Sequence, residues 1–315
     1  MSRIHEALKR AEQERAASQG GHVESLHPMD VPAVEAAGMP PVIERAPLST
    51  AASAAAAGPA FSNAFTFDTL LARCAQSEWN PDPKSMLFFN DDERKYGAEE
   101  FRTLRSRLYQ MREKMPLKKV LITSALPKEG KTFVAANLAQ VMVRQHGRRA
   151  LLIDADLRGA RLHQALGTSS TPGLSEYLLG ESDEFSVMQR GPMENLFFIP
   201  SGRTVSNPAE LVANGRLKFL LTRVEPLFDW IIIDSPPTVP VSDSSLLANF
   251  CDGVLIVVRS NTTPFGMARK ARLEFQDKHL IGVVLNGIEA DSSPYSRYYY
   301  GVNGNNKEMQ ETVQG

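Results

Sequence analysis

From about residue 83 onward, apolar positions fall in two alternating rhythms. Short runs of consecutive Ile, Val, Leu and Phe are separated by longer stretches with apolar residues three and four apart. The short runs predict strands at 119–123, 150–154, 196–200, 230–234, 254–259 and 282–286, each apolar enough for a strand covered on both faces. The longer stretches predict helices between them. The expected fold is α/β: a mostly parallel, P-loop NTPase-like sheet with helices on both faces and ligands at the carboxyl ends of the strands. One helix start is explicit, with Asn207 as cap, Pro208 at the first helical position and Glu210 placed to complete a capping box.

Before residue 83 the rhythm is different. Ile4, Ala7, Leu8 and Ala11 share one face of a predicted short helix over 1–19. Six prolines between residues 20 and 64, with a Ser/Ala run, predict a flexible linker over 20–82. The folded domain is expected over 83–294, and a polar tail rich in tyrosine over 295–315.

Composition narrows the setting. Thirty-five basic residues oppose thirty-six acidic ones for a net charge of −1, so no general electrostatic attraction to nucleic acid is expected. Cys74 and Cys251 have neither metal-ligand nor disulfide spacing, which suits a reducing compartment. The charged start is unlike a secretory signal, and no run reaches the ~18 apolar residues of a membrane span. A cytoplasmic location is expected.

The chemistry begins where the strand at 119–123 runs through Ser124-Ala125-Leu126-Pro127-Lys128-Glu129-Gly130-Lys131-Thr132 into the helical Phe133-Val134-Ala135. A strand, a loop closing on Gly-Lys-Thr and a helix form a phosphate cradle. Backbone N–H groups surround the phosphates, the lysine reaches the outer oxygens and the hydroxyl can ligate Mg²⁺. Ala125 replaces the usual first glycine, tolerable only if its φ stays negative. Two further strands end in acids, at Asp154-Ala155-Asp156-Leu157-Arg158 and at Asp234-Ser235-Pro236-Pro237. Either alone reads equally well as loop capping. With the cradle, the three acids can hold a metal and accept a hydroxyl proton. Arg158 can neutralise a transferring phosphoryl group, or pair with Asp154 or Asp156.

These motifs resemble the Walker A, A′ and B elements of the bacterial tyrosine kinases of capsular and exopolysaccharide synthesis, over roughly residues 84–300. The resemblance implies ATP and Mg²⁺ as cofactors. Lys131 would bind phosphate; Thr132, Asp156 and Asp234 would serve the metal; and Asp154 would act as base, with Arg158 in the catalytic group. Ser124, Pro127, Lys128, Glu129, Gly130 and Phe133 complete the nucleotide loop, with Lys128 standing where the family usually has glycine. Asn286 matches a position that contacts adenine in related ATPases, while a loop-capping asparagine reads the same. Glu99, Arg102 and Arg105 match the family's Glu-x2-Arg-x2-Arg helix of ring assembly, and equally an ordinary solvated helix. Tyr295, Tyr298, Tyr299 and Tyr300 are the expected autophosphorylation sites, against the alternative of an aromatic interface patch. The resemblance further implies a homo-oligomeric ring, a transmembrane chain-length regulator as activator, a cognate tyrosine phosphatase, and recruitment to the inner face of the membrane. A partitioning-type regulatory ATPase is the competing reading. It expects a lysine where Leu126 stands and leaves the tyrosine cluster unexplained. A nucleotide-gated scaffold that binds ATP without consuming it is a third.

Overall fold

A computed structural model describes residues 65–83, 85–89 and 97–288. The predicted helix at 1–19 and the tyrosine tail lie outside the described residues. So does most of the predicted linker.

Along the described chain run α1 (Phe67–Arg73), β1 (Ala75–Gln76), α2 (Ala98–Arg112), β2 (Lys119–Ser124), α3 (Lys131–Val143), β3 (Ala150–Asp154), α4 (Leu162–Leu166) and α5 (Leu174–Leu179). Then follow β4 (Gln189–Arg190), β5 (Leu196–Ile199), α6 (Pro208–Ala213), α7 (Arg216–Val224), β6 (Trp230–Asp234), α8 (Asp243–Ala248), β7 (Gly253–Arg259), α9 (Phe265–Glu274) and β8 (Leu280–Asn286). All six predicted strands are present, with ends shifted by at most two residues.

The strands form one sheet in the order β1-β4-β5-β3-β6-β2-β7-β8, parallel throughout except for the β4–β5 pair. Alternate residues of each central strand serve two cores. Leu121, Leu151, Ile153, Ile231 and Ile233 join α1, α5, α7 and α8 on one face. Val120, Ile122, Leu152 and Ile232 join α2, α3 and α4 on the other. This double coverage is why the strands read as continuous apolar runs. Helix α3 is buried along nearly its whole circumference, Asn137 and Gln140 included. The Asn137 side chain accepts from the Leu87 N–H (2.8 Å) and donates to the Ser85 carbonyl (2.8 Å), tying segment 85–89 to the central helix.

Three expectations need correction. The linker does not extend to residue 82, because α1 and β1 are part of the fold. Leu70 is fully buried and Phe67 meets Phe197 edge-on with ring centroids 5.7 Å apart. Phe67, Leu70 and Leu71 do stand at helical spacing, but seven residues give a single such repeat, too short to stand out as a helix in the sequence. Second, β8 is a sheet edge and not a doubly covered strand, with Val283 58% and Leu285 52% exposed. Third, Asn207 caps α6 by position only. Its side-chain amide donates to Glu210 (3.2 Å) and makes no capping bond to the backbone.

Candidate active site

Parallel pairing places Asp154 of β3 directly opposite Asp234 of β6, and β6 in turn lies beside β2. Two carboxylates and the start of the phosphate loop are therefore neighbours at the carboxyl ends of three central strands. The loop turns through Lys128 and Gly130, whose φ values are +67° and +97°, and α3 begins at Lys131. Ala125 is absent from the positive-φ positions, so its methyl is tolerated, and it is fully buried. Lys128 explains the family's glycine in a way its charge does not: this position uses the left-handed region that glycine reaches without strain.

The loop is braced by side chains from elsewhere. Ser124 Oγ donates to the Leu126 carbonyl (2.8 Å), and Glu129, nearly fully buried, accepts from the Leu126 N–H (2.7 Å) and from the Thr263 hydroxyl. Arg259 donates to the Lys128 carbonyl (3.3 Å), and the Asn286 amide to the Glu129 carbonyl (2.9 Å). Asn286 thus braces the phosphate loop from the end of β8. Pro127 is exposed, and Phe133 packs edge-on against Phe101 at 5.8 Å.

Lys131 Nζ lies 2.8 Å from Asp156 Oδ2 and 3.5 Å from the Thr132 hydroxyl. Burial works against its charge, but Asp234, Asp156 and Asp154 together raise its pKa. Asp154 is fully buried and accepts the N–H groups of Asp156 and Leu162, both at 3.2 Å. Burial and the neighbouring Asp234 charge push its pKa well above the carboxylate range. Asp234 is pushed up to about 6 by burial, with Lys131 pulling the other way. The Thr132 hydroxyl and the Ser235 N–H lie near its carboxylate, but neither of its buried oxygens makes a hydrogen bond of good geometry.

Three acids facing one ammonium leave an excess of negative charge in a poorly solvated place. A divalent cation fits those orphaned oxygens. No group of three or more His, Cys, Asp or Glu able to hold an ion is found among the described residues. Magnesium bound through one or two carboxylates and nucleotide phosphates needs no such cage.

Arg158 is the clearest departure from expectation. It pairs with neither Asp154 nor Asp156 through its side chain. Its guanidinium makes a bidentate pair with Asp243 of α8, at 2.8 and 3.0 Å, while its backbone N–H and that of Gly159 donate to Asp156 (3.3 and 2.9 Å). Asp243 is almost wholly buried, and the pair raises the Arg158 pKa. Sequence reasoning missed Asp243, Thr263 and Arg259, none of which lies in a motif. Away from the site, Glu99 and Arg102 are paired within α2, while Arg105 donates to the Val141 carbonyl at the end of α3 (2.9 Å).

A family model described as an AAA domain matches residues 127–269. Tyrosine-protein kinase YwqD of Bacillus subtilis is 37% identical over 211 residues, covering 66% of this chain and 88% of that protein. Tyrosine-protein kinase wzc of Salmonella typhimurium is 32% identical over 204 residues, 64% of this chain but 28% of that much longer protein. Among solved structures, the chimerical protein CapA2B2 superposes with a TM-score of 0.60 at 28% identity, covering 69% of this chain and 96% of that one. The kinase domain of the Escherichia coli tyrosine kinase ETK gives 0.60 at 32%, covering 63% and 78%.

Proposed function

The chain belongs to the bacterial tyrosine-protein kinases, and from that membership we propose that it is an autokinase whose substrates are Tyr295, Tyr298, Tyr299 and Tyr300 of a neighbouring copy. The observation that carries this reading is the gathering of Asp154, Asp156 and Asp234 around Lys131 at the mouth of the phosphate loop. A tyrosine oxygen attacks the γ-phosphorus of ATP, the bond to the β,γ-bridging oxygen breaks, and ADP leaves with the electron pair. Asp154, buried at the end of β3 beside Asp234, takes the phenolic proton. Thr132, Asp156 and Asp234 would hold Mg²⁺, which supplies charge neutralisation on the phosphates. Lys131 must exchange Asp156 for a phosphate oxygen, so the observed ion pair is the resting arrangement. The loop N–H groups at the start of α3 orient the phosphates.

Likeness to a Klebsiella pneumoniae protein named a putative tyrosine-protein kinase in cps region supports a role in polysaccharide synthesis. No helix among the described residues is long and apolar enough to cross a membrane. A transmembrane chain-length regulator is the proposed activator and recruiter to the inner face of the membrane, with a cognate tyrosine phosphatase reversing the modification. Assembly into a ring through Glu99, Arg102 and Arg105 would bring one copy's tail to the next copy's site. Glu99 is exposed, as this requires, whereas Arg105 is partly engaged within its own chain. The competing partitioning-type ATPase expects lysine at position 126, where leucine stands.

The test is phosphotyrosine mapping of purified protein after incubation with MgATP and an activator segment, with the oligomer sized in the same sample. Phosphate on Tyr295–Tyr300 that disappears in Lys131→Met is expected. ATP turnover with no phosphotyrosine, or full labelling when all four tyrosines are phenylalanine, would overturn the reading.

A further inference from the structure

The far edge of the sheet carries a cavity that the nucleotide chemistry does not use. It lies beside α1, where β3 and β5 begin, with a volume of about 520 Å³. That is the end of these parallel strands away from Asp154. Phe67, Leu71 and Phe197 supply apolar walls, and Arg149, Arg190 and Gln76 supply the donors.

Strand register brings the two arginines to one face. Arg190 pairs with Phe197 in the antiparallel ladder, so their side chains project to the same side. Phe67 meets Phe197 on that side, and the Arg149 guanidinium carbon lies 3.5 Å from the centre of the Phe67 ring. Neither guanidinium has a carboxylate within ion-pairing distance among the described residues. The Asp229 carboxylate next to Arg149 is taken by the Arg148 side chain and by the backbone N–H of Arg149 (3.0 Å). Glu194, the acid on the rim, is exposed and pairs with neither. The Nε of Arg190 is buried with no hydrogen-bond partner. That nitrogen is closed off from the cavity, so a ligand there meets the terminal nitrogens of the Arg190 guanidinium.

We propose that this cavity binds an aryl phosphate, presented as phosphotyrosine in a peptide. Two planar donor forks match the three oxygens of a phosphate monoester better than the two of a carboxylate. The part-exposed Phe67 and Leu71 match the phenyl ring, and the cavity has room for one such side chain. The peptide form of the ligand rests on the tail phosphorylation proposed above, whereas the small-molecule form does not, so the two can fail separately.

The probe is phenyl phosphate, titrated calorimetrically into the full chain saturated with MgADP so that the phosphate loop is occupied. Saturable binding is expected, with none for phenol. Arg149→Met and Arg190→Met should each weaken it about tenfold or more, since each removes a charged bidentate donor, with ADP affinity unchanged. Should Arg190→Met not fold, Arg190→Lys keeps the stem and charge but loses the fork, and the same weakening is expected. A peptide of residues 293–302 phosphorylated on tyrosine should displace phenyl phosphate, and its unphosphorylated form should not. Phenyl phosphate that fails to saturate, that binds no better than phenol, or that is indifferent to both arginine substitutions would overturn the assignment. Displacement by the unphosphorylated peptide would overturn the peptide form of the ligand.

Discussion

Gly130→Ala is a stringent test of how the phosphate loop is held. At this residue φ is +97° and ψ 19°, so an alanine costs about 1–2 kcal/mol in backbone strain. A Cβ built there would stand 1.9 Å from the amide nitrogen of Asn286, far inside contact distance. The Asn286 side chain must swing away and release the Glu129 carbonyl, a hydrogen bond worth about 1 kcal/mol. Together these raise the free energy of the competent loop by roughly 2–3 kcal/mol, or about 30- to 150-fold in nucleotide affinity. Titration with a fluorescent ATP analogue reads that loss. Asn286→Ala alone should cost about fivefold, the hydrogen bond only. The double variant should bind about as weakly as Gly130→Ala, because the bond can be lost only once. Additive losses would show that Asn286 and Gly130 act independently, and wild-type affinity in Gly130→Ala would refute the loop geometry altogether.

Two further predictions come from the acids. Asp234 has a folded-state pKa raised to about 6 from an ordinary 3.8, so its folded form favours the proton. Its contribution to stability is present below about pH 4 and lost as pH rises through about 6. In nucleotide-free protein, Asp234→Asn should flatten the fall in melting temperature over that interval and melt higher than the parent at pH 7, while losing kinase activity; an unchanged pH profile would sink the argument. Asp243→Asn should leave Arg158 without its bidentate anchor. Turnover should fall by an order of magnitude or more with a smaller change in ATP affinity, and Arg158→Lys should behave alike because an ammonium cannot make the fork. Wild-type turnover in both variants would show that the Arg158–Asp243 pair is structural only.

The sequence alone determined the features whose physics is local. A strand buried on both faces must be continuously apolar, which made Ala150–Asp154 and Trp230–Asp234 readable to the residue. A phosphate cradle needs Gly130, Lys131 and Thr132 within a few residues of a helix start, and strand-ending acids announce themselves by position. Tertiary structure decided what depends on partners distant in the chain. Arg158 takes Asp243, 85 residues away, over the acids two and four positions from it. Glu129, legible in the sequence only as part of the nucleotide loop, is buried because Thr263 and the Leu126 N–H close over it. Helix α1 holds because Phe197 and its neighbours offer a surface that seven residues cannot anticipate. The raised pKa values of Asp154 and Asp234 arise first from burial, and for Asp154 also from the Asp234 charge that the parallel register sets beside it; neither burial nor crowding exists until the sheet has formed.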